Sequence, residues 1–235
     1  MHHTTPRRVT GRKAGTVVFA VALLATFLGL AAPGTAGAAP APCPTIAPGP
    51  FRYTFTSTFT NGVIDINGRA KVTGATGAAC GTIQLKQGKI VATVPAANMS
   101  FAPAKAKIFG LVNVPIGMTP LSDFTGTGAL KADGSHVTLS GTVRGETSIL
   151  GFTCGVGPFT PTLTTDTSGA LTGVPFKGKP GVGKVVAGDF VIPTISVTPK
   201  CPKLIAYLGS IALGFPAAAG KSTLTFDATQ TLANP

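Results

Sequence analysis

Between Phe51 and Phe59 the chain reads Phe51, Tyr53, Phe55, Ser57 and Phe59 at every second position, with Arg52, Thr54, Thr56 and Thr58 between them. An extended chain sends alternate side chains to opposite faces, so this period of two specifies a strand with one buried and one wetted face. It excludes a helix, in which the same residues would scatter around the axis. Asn61-Gly62 follows, a dipeptide that tolerates the positive φ angles of a tight hairpin turn. The expectation is a two-residue turn there, pairing Phe59 with Ile64, Ser57 with Ile66 and Phe55 with Gly68. The competing turn is Asn67-Gly68.

The same logic runs through the rest of the chain. A second hairpin is expected at Asp133-Gly134, pairing Leu130 with Val137, Gly128 with Leu139 and Phe124 with Val143, and setting Asp123 opposite Arg144. A third is expected at Gln87-Gly88, between Thr82–Lys86 and Lys89–Val94. Further strands are expected over Thr160–Thr165, Ala170–Phe176, Lys184–Ile192 and Thr223–Leu232. Many short strands separated by turn signals define an all-β chain, an antiparallel β-sandwich or barrel-like sheet. One segment departs from the period of two. From Pro202 to Leu213, Leu204, Tyr207, Leu208 and Ile211 recur at helical spacing, Pro202 suits a helix start and Gly214 a helix end. A short apolar helix is expected over 202–213, plugging one end of the sheet structure.

The N-terminus carries Arg7, Arg8, Arg12 and Lys13, then seventeen uncharged residues from Thr16 to Ala32, then small residues through Ala39. Basic, apolar and small-residue regions in that order make a secretory signal, cleaved near Ala38 or Ala39. This gives a leader over 1–39 and a secreted all-β domain over 40–235, with no stable membrane span after cleavage. Cys43…Gly49-Pro50-Phe51 echoes Cys154…Gly157-Pro158-Phe159, which admits a division into two related lobes, about 43–130 and 131–235. In an exported chain Cys43, Cys80, Cys154 and Cys201 read as disulfides, and Cys43–Cys80 with Cys154–Cys201 closes the more local loops. No Cys-x-x-Cys is present, and His136 is the one histidine beyond the leader, so no metal site is expected.

Four of the nineteen basic residues fall in the leader, leaving fifteen against seven acids and a net charge of about +8. Lysines dominate, no tryptophan is present and basic residues do not interleave with aromatics, which argues against specific nucleic-acid recognition. Such a field favours salt-sensitive contact with anionic cell-envelope polymer. Gly178-Lys179-Pro180-Gly181-Val182-Gly183-Lys184 imitates a phosphate-binding loop, but Val185 stands where a magnesium-binding hydroxyl belongs and a strand pattern follows. No cofactor is expected. Catalysis finds few groups: His136 sits beside a turn, where a solvated side chain is the ordinary outcome, and Asp65, Asp123 and Asp189 have no sequence feature that brings them together. Asn98-Met99-Ser100 is a glycosylation sequon or an ordinary strand edge.

These observations lead to a non-enzymatic, secreted or envelope-associated protein with a structural or binding role at the cell surface. The alternative is a carrier of an apolar ligand or lipid, lined by Ile108, Leu111, Val114, Leu204, Tyr207, Leu208 and Ile211; a third reading is an aspartate-based hydrolase.

Overall fold

The computed structural model describes residues 43, 49–108 and 110–233. The expected leader over 1–39 and its expected cleavage position lie outside the described residues. The strands are β1 (Arg52–Ile66), β2 (Ala70–Lys86), β3 (Lys89–Val94), β4 (Met99–Phe101), β5 (Ala104–Ile108), β6 (Val112–Pro120), β7 (Phe124–Lys131), β8 (Gly134–Ser140), β9 (Val143–Ile149), β10 (Phe152–Phe159), β11 (Thr162–Thr164), β12 (Thr167–Ser168), β13 (Leu171–Thr172), β14 (Val174–Lys177), β15 (Gly181–Ala187) and β16 (Ser222–Ala233); among the described residues one α-helix, α1 (Lys203–Leu213), precedes the last strand and a 3-10 turn spans Ala96–Asn98. Eight of them close into an antiparallel barrel in the order β1–β16–β15–β11–β8–β7–β3–β2, with β2 bonded back to β1. Closure leaves the ring without a free edge.

Two long strands carry the fold beyond the barrel. The last part of β2, Thr82–Lys86, pairs with β3 inside the ring, whereas its first part, Ala70–Val72, pairs with β5. From there the same sheet continues beyond the ring as β2–β5–β6–β9–β10. Phe55, Phe59, Ile83, Val94, Val137 and Phe176 fill the barrel, and Ile64, Val72, Ile108, Val114, Ile149 and Val156 continue the core under this extension. Threonines face outward and bond across strands, as Thr138 Oγ1 does with Thr164 Oγ1 at 2.8 Å. Disulfides join Cys43 to Cys80 and Cys154 to Cys201, the pairing expected from loop length. Such bonds form and persist in an oxidising environment.

The Gln87-Gly88 hairpin forms in the expected register, Thr82 opposite Thr93 and Lys86 opposite Lys89. The Asn61-Gly62 hairpin does not form. The chain reverses at Asn67-Gly68, and β1 runs straight through Asn61-Gly62 as a bulge, its register shifting between Thr60 and Val63 against β16. Asn61 takes the positive φ of 50° that its side chain tolerates, and its Nδ2 donates to Asp227 Oδ2 at 3.0 Å. The Asp133-Gly134 hairpin forms two residues out of the expected register: Lys131 faces Gly134, Gly128 faces Val137 and Gly126 faces Leu139. β8 therefore stops at Ser140, Val143 starts a separate strand, and Arg144 faces Thr119 while Asp123 accepts a bond from the Ala96 amide at 2.9 Å. The close approach of β7 to β8 explains Gly126 and Gly128, because a side chain at either would run into the carbonyl of Thr138 or His136.

The helix forms where expected, with Gly214 in the left-handed conformation at its end (φ 79°). The face it buries is the other one. Ile205, Ala206, Gly209, Ala212 and Leu213 pack inward, and Gly209 lets the helix approach Ile149 and Ile195. Leu204, Tyr207 and Ile211 face solvent, and Leu208 is half-buried. Small residues allow the closer docking, so the bulkier apolar stripe is the one left outside. Among the described residues no helix is long and apolar enough to cross a membrane.

Candidate functional site

The bulges of the long hairpin open a groove. Opposite Asn61-Gly62, β2 carries its own irregularity at Gly74 (φ 71°), so the β1–β2 ribbon bends as it leaves the barrel. On its other edge β2 pairs with β5 at Ala70–Val72 and with β4 at Gly77–Ala79. Between these stretches the chain from β4 to β5 turns through Ala102-Pro103 and returns one backbone bond, from the Ala102 amide to the Thr76 carbonyl at 3.0 Å. The result is a cleft of about 280 Å³ with a floor of Gly74 and Ala75 and walls that include Thr73, Thr76, Lys105, Lys107 and Asn113.

Register places the charges. Lys105 and Lys107 are two apart on β5 and lie on its exposed face, while Ala106 and Ile108 between and beyond them are buried. Lys107 faces Asn113 on β6 and Lys71 on β2, and Lys71 in turn faces Asp65 on β1, so three cation-bearing positions, an amide and one carboxylate outside the cleft share one side of the sheet. None of the lining residues is a carboxylate. Among the described residues the ion pairs are those of His136 alone, so these lysines are not neutralised within the fold. A cleft with two ammonium groups, one amide and two hydroxyls, open to water, is fitted to hold an anion that also offers hydroxyl groups.

His136 itself is buried rather than solvated, at 9% exposure. Its Nδ1 lies 2.5 Å from Asp166 Oδ1 and its Nε2 lies 2.9 Å from Asp133 Oδ1. Bonding to Asp166 first and Asp133 second raises the histidine pKa above its usual 6.5, and the bond from His136 lowers that of Asp133. A protonated ring donates at both nitrogens, so neither is free to take a proton from a substrate. The arrangement clamps the β7–β8 turn to the segment after β11. Asp166 lies thirty residues from His136 with no pattern linking them, so sequence offered no signal of this contact.

The aspartates considered for catalysis are dispersed into turns. Asp65 accepts from the Gly68 amide at 2.8 Å, Asp189 from Gly169 at 3.0 Å and Asp123 from Ala96. Within the Gly178–Lys184 segment, residues 178–180 connect β14 to β15 and Gly181 to Lys184 already belong to β15, the strand that the pattern indicated. Asn98 of the sequon is buried. Of the apolar residues assigned to a ligand or partner surface, Ile108 and Val114 are in the core, Leu111 is 83% exposed in the β5–β6 turn, and Leu204, Tyr207 and Ile211 stand on the outer face of α1. The barrel interior, between Phe55, Phe59, Val94, Val137 and Phe176, retains an apolar-lined space of about 40 Å³. No family model, curated protein or solved structure matches the chain.

Proposed function

We propose that the chain is a secreted, non-enzymatic β-barrel protein that holds an anionic cell-envelope polymer at the cell surface. The observation that carries this reading is the acid-free groove at Lys105 and Lys107. At about 280 Å³ it is near the small end of ligand clefts, the size for one sugar or polyol unit bearing a phosphate or carboxylate. It is open to solvent, which lets a chain enter and leave. The two disulfides suit a protein that works in an oxidising, extracellular setting, and the leader sequence supports export to it.

Retention on purified cell wall tests the proposal. Binding is expected at low salt and is expected to vanish near 1 M salt, where the screening length falls to about 3 Å. The double substitution Lys105→Glu, Lys107→Glu should weaken retention on the order of tenfold or more, two exposed charge contacts each contributing up to about 1 kcal/mol. Lys221→Glu, away from the groove, should leave it nearly unchanged. No retention at low salt, or equal loss from both variants, would remove the groove from the mechanism.

A further inference from the structure

The barrel end remote from the groove carries a second, independent feature. Antiparallel connections bring the start of β1, the β2–β3 turn, the β7–β8 turn and the β14–β15 turn to one rim. Those segments hold Arg52, Lys86, Lys89, Lys131, Lys177 and Lys179, all exposed, and the acid among them is Asp133, already bonded to His136. With strands about 4.8 Å apart, the rim is on the order of 15 Å across. Its charges lie within one or two screening lengths of each other and act together on a facing surface.

The same rim exposes large apolar side chains. Phe51 is 63% exposed, Leu130 58%, Val182 57% and Leu232 54%. Phe51 is the most informative. Its φ is 63°, a left-handed conformation that a bulky residue rarely adopts, and its carbonyl is fixed by the Leu85 amide at 2.9 Å. The backbone is therefore held in a disfavoured state that turns a phenyl ring outward, beside Arg52. A soluble polyanion would use the cations and leave the phenyl and leucine side chains in water.

We infer that this rim docks on the surface of an anionic lipid bilayer, with Phe51 and Leu130 entering the interface and the lysines meeting headgroup phosphates. Basic charge and exposed apolar side chains on one face are the two elements that hold proteins on such surfaces reversibly. The inference does not depend on the groove or on the polymer it would hold.

The test is co-sedimentation of the intact protein with phosphatidylglycerol–phosphatidylcholine vesicles at about 0.1 M salt, against phosphatidylcholine alone. Binding to the anionic vesicles only is expected. Changing Lys86, Lys89 and Lys131 to Gln should reduce partitioning roughly 100-fold, at about fivefold per cation. Phe51→Ser should reduce it about tenfold or more without altering binding to soluble polyphosphate. The chain contains no tryptophan, so Phe51→Trp supplies a single reporter whose emission should shift to the blue with anionic vesicles. Absence of sedimentation, an unshifted reporter, or a Phe51→Ser variant that sediments like the parent would overturn the inference; in the last case the rim is a polyanion contact. Circular dichroism of each variant confirms that these exposed substitutions leave the barrel folded.

Discussion

Replacing Gly62 by alanine distinguishes a bulge at Asn61-Gly62 from a turn there. Gly62 has ordinary backbone angles, so an added methyl group meets only steric opposition. It would overlap the Phe226 ring and lie 2.7 Å from the Ala75 carbonyl oxygen. Neither can yield cheaply. Phe226 is 2% exposed and lies against Phe59 and Phe101, at centroid distances of 5.6 and 5.9 Å, while the carbonyl belongs to the facing strand. Overpacking of this kind costs about 1–3 kcal/mol, and two rigid obstacles place Gly62→Ala near the top of that range. Gly68, in the true turn, has a φ of 66° and open space around it, so Gly68→Ala costs only the left-handed penalty of about 1–2 kcal/mol. For a folded region of this size each kcal/mol moves the melting temperature by about 2–4 °C. Gly62→Ala should therefore melt about 6–12 °C below the parent in a thermal unfolding scan, and Gly68→Ala about 2–8 °C below. Phe226→Leu should cost less in the Gly62→Ala background than alone, because it makes room for the methyl group. A chain turning at Asn61-Gly62 would show the reverse order, and that outcome would refute the bulge.

The His136 clamp gives a pH signature. The histidine pKa is raised on folding, so its contribution is fully present below about 6.5 and is lost as pH rises through the folded value. The lowered Asp133 pKa adds stability that is present above 3.8 and lost as pH falls through the folded value. Urea unfolding of parent and His136→Gln should differ most between about pH 4 and 6.5 and converge toward pH 9; a difference that grows with pH would contradict the assignment. The Cys154–Cys201 bridge closes a loop with a sequence separation of 47, for which chain entropy assigns about 4 kcal/mol. The Cys154→Ser, Cys201→Ser double variant should lose about that much stability, and far less would show that the loop is already restricted in the unfolded chain.

Alternation alone revealed the fold class and many of the strands, and the places where it misled share one cause. In β1 the inward residues are Phe55, Ser57 and Phe59 at odd positions, then Ile64 and Ile66 at even ones. A two-residue turn changes the inward parity, and so does a bulge of one extra residue within a single strand. Asn-Gly serves both, since each needs a residue that accepts positive φ. The β7–β8 hairpin shows the complementary ambiguity. A slip of two residues keeps every side chain on its face, so the pattern cannot reject it. What selects the register is the contact of Gly126 and Gly128 with the β8 carbonyls, which exists only in three dimensions. The Gln87-Gly88 turn was legible because the apolar residues on either side, Ile83 and Leu85 before it and Ile90 and Ala92 after it, fall opposite one another in that register. In α1 the sequence shows two apolar faces, and the choice of the smaller one follows from Gly209 meeting Ile149 and Ile195, residues far away in the chain.

Charge is where folding adds most to the sequence. Along the chain the lysines form no motif, and a net charge of +12 describes a diffuse field. Antiparallel topology sorts them, since alternate connections return to the same end of the barrel. The residues of four separate turns and strand starts become one rim, while Lys105, Lys107 and Lys71 become the face beside the bend. The two sites are joined by the paired stretch from Arg52 to Phe59 on β1 and Gly77 to Gln84 on β2. Eight residues at about 3.3 Å each, on strands tilted roughly 40° to the barrel axis, set them about 20 Å apart along it. That span is a hydrogen-bonded ribbon locked into a closed barrel, so the separation is fixed rather than averaged over a linker. A lipid surface at the rim would then leave the groove about 20 Å above the headgroups, at a height where a polymer strand can enter without displacing the rim contact.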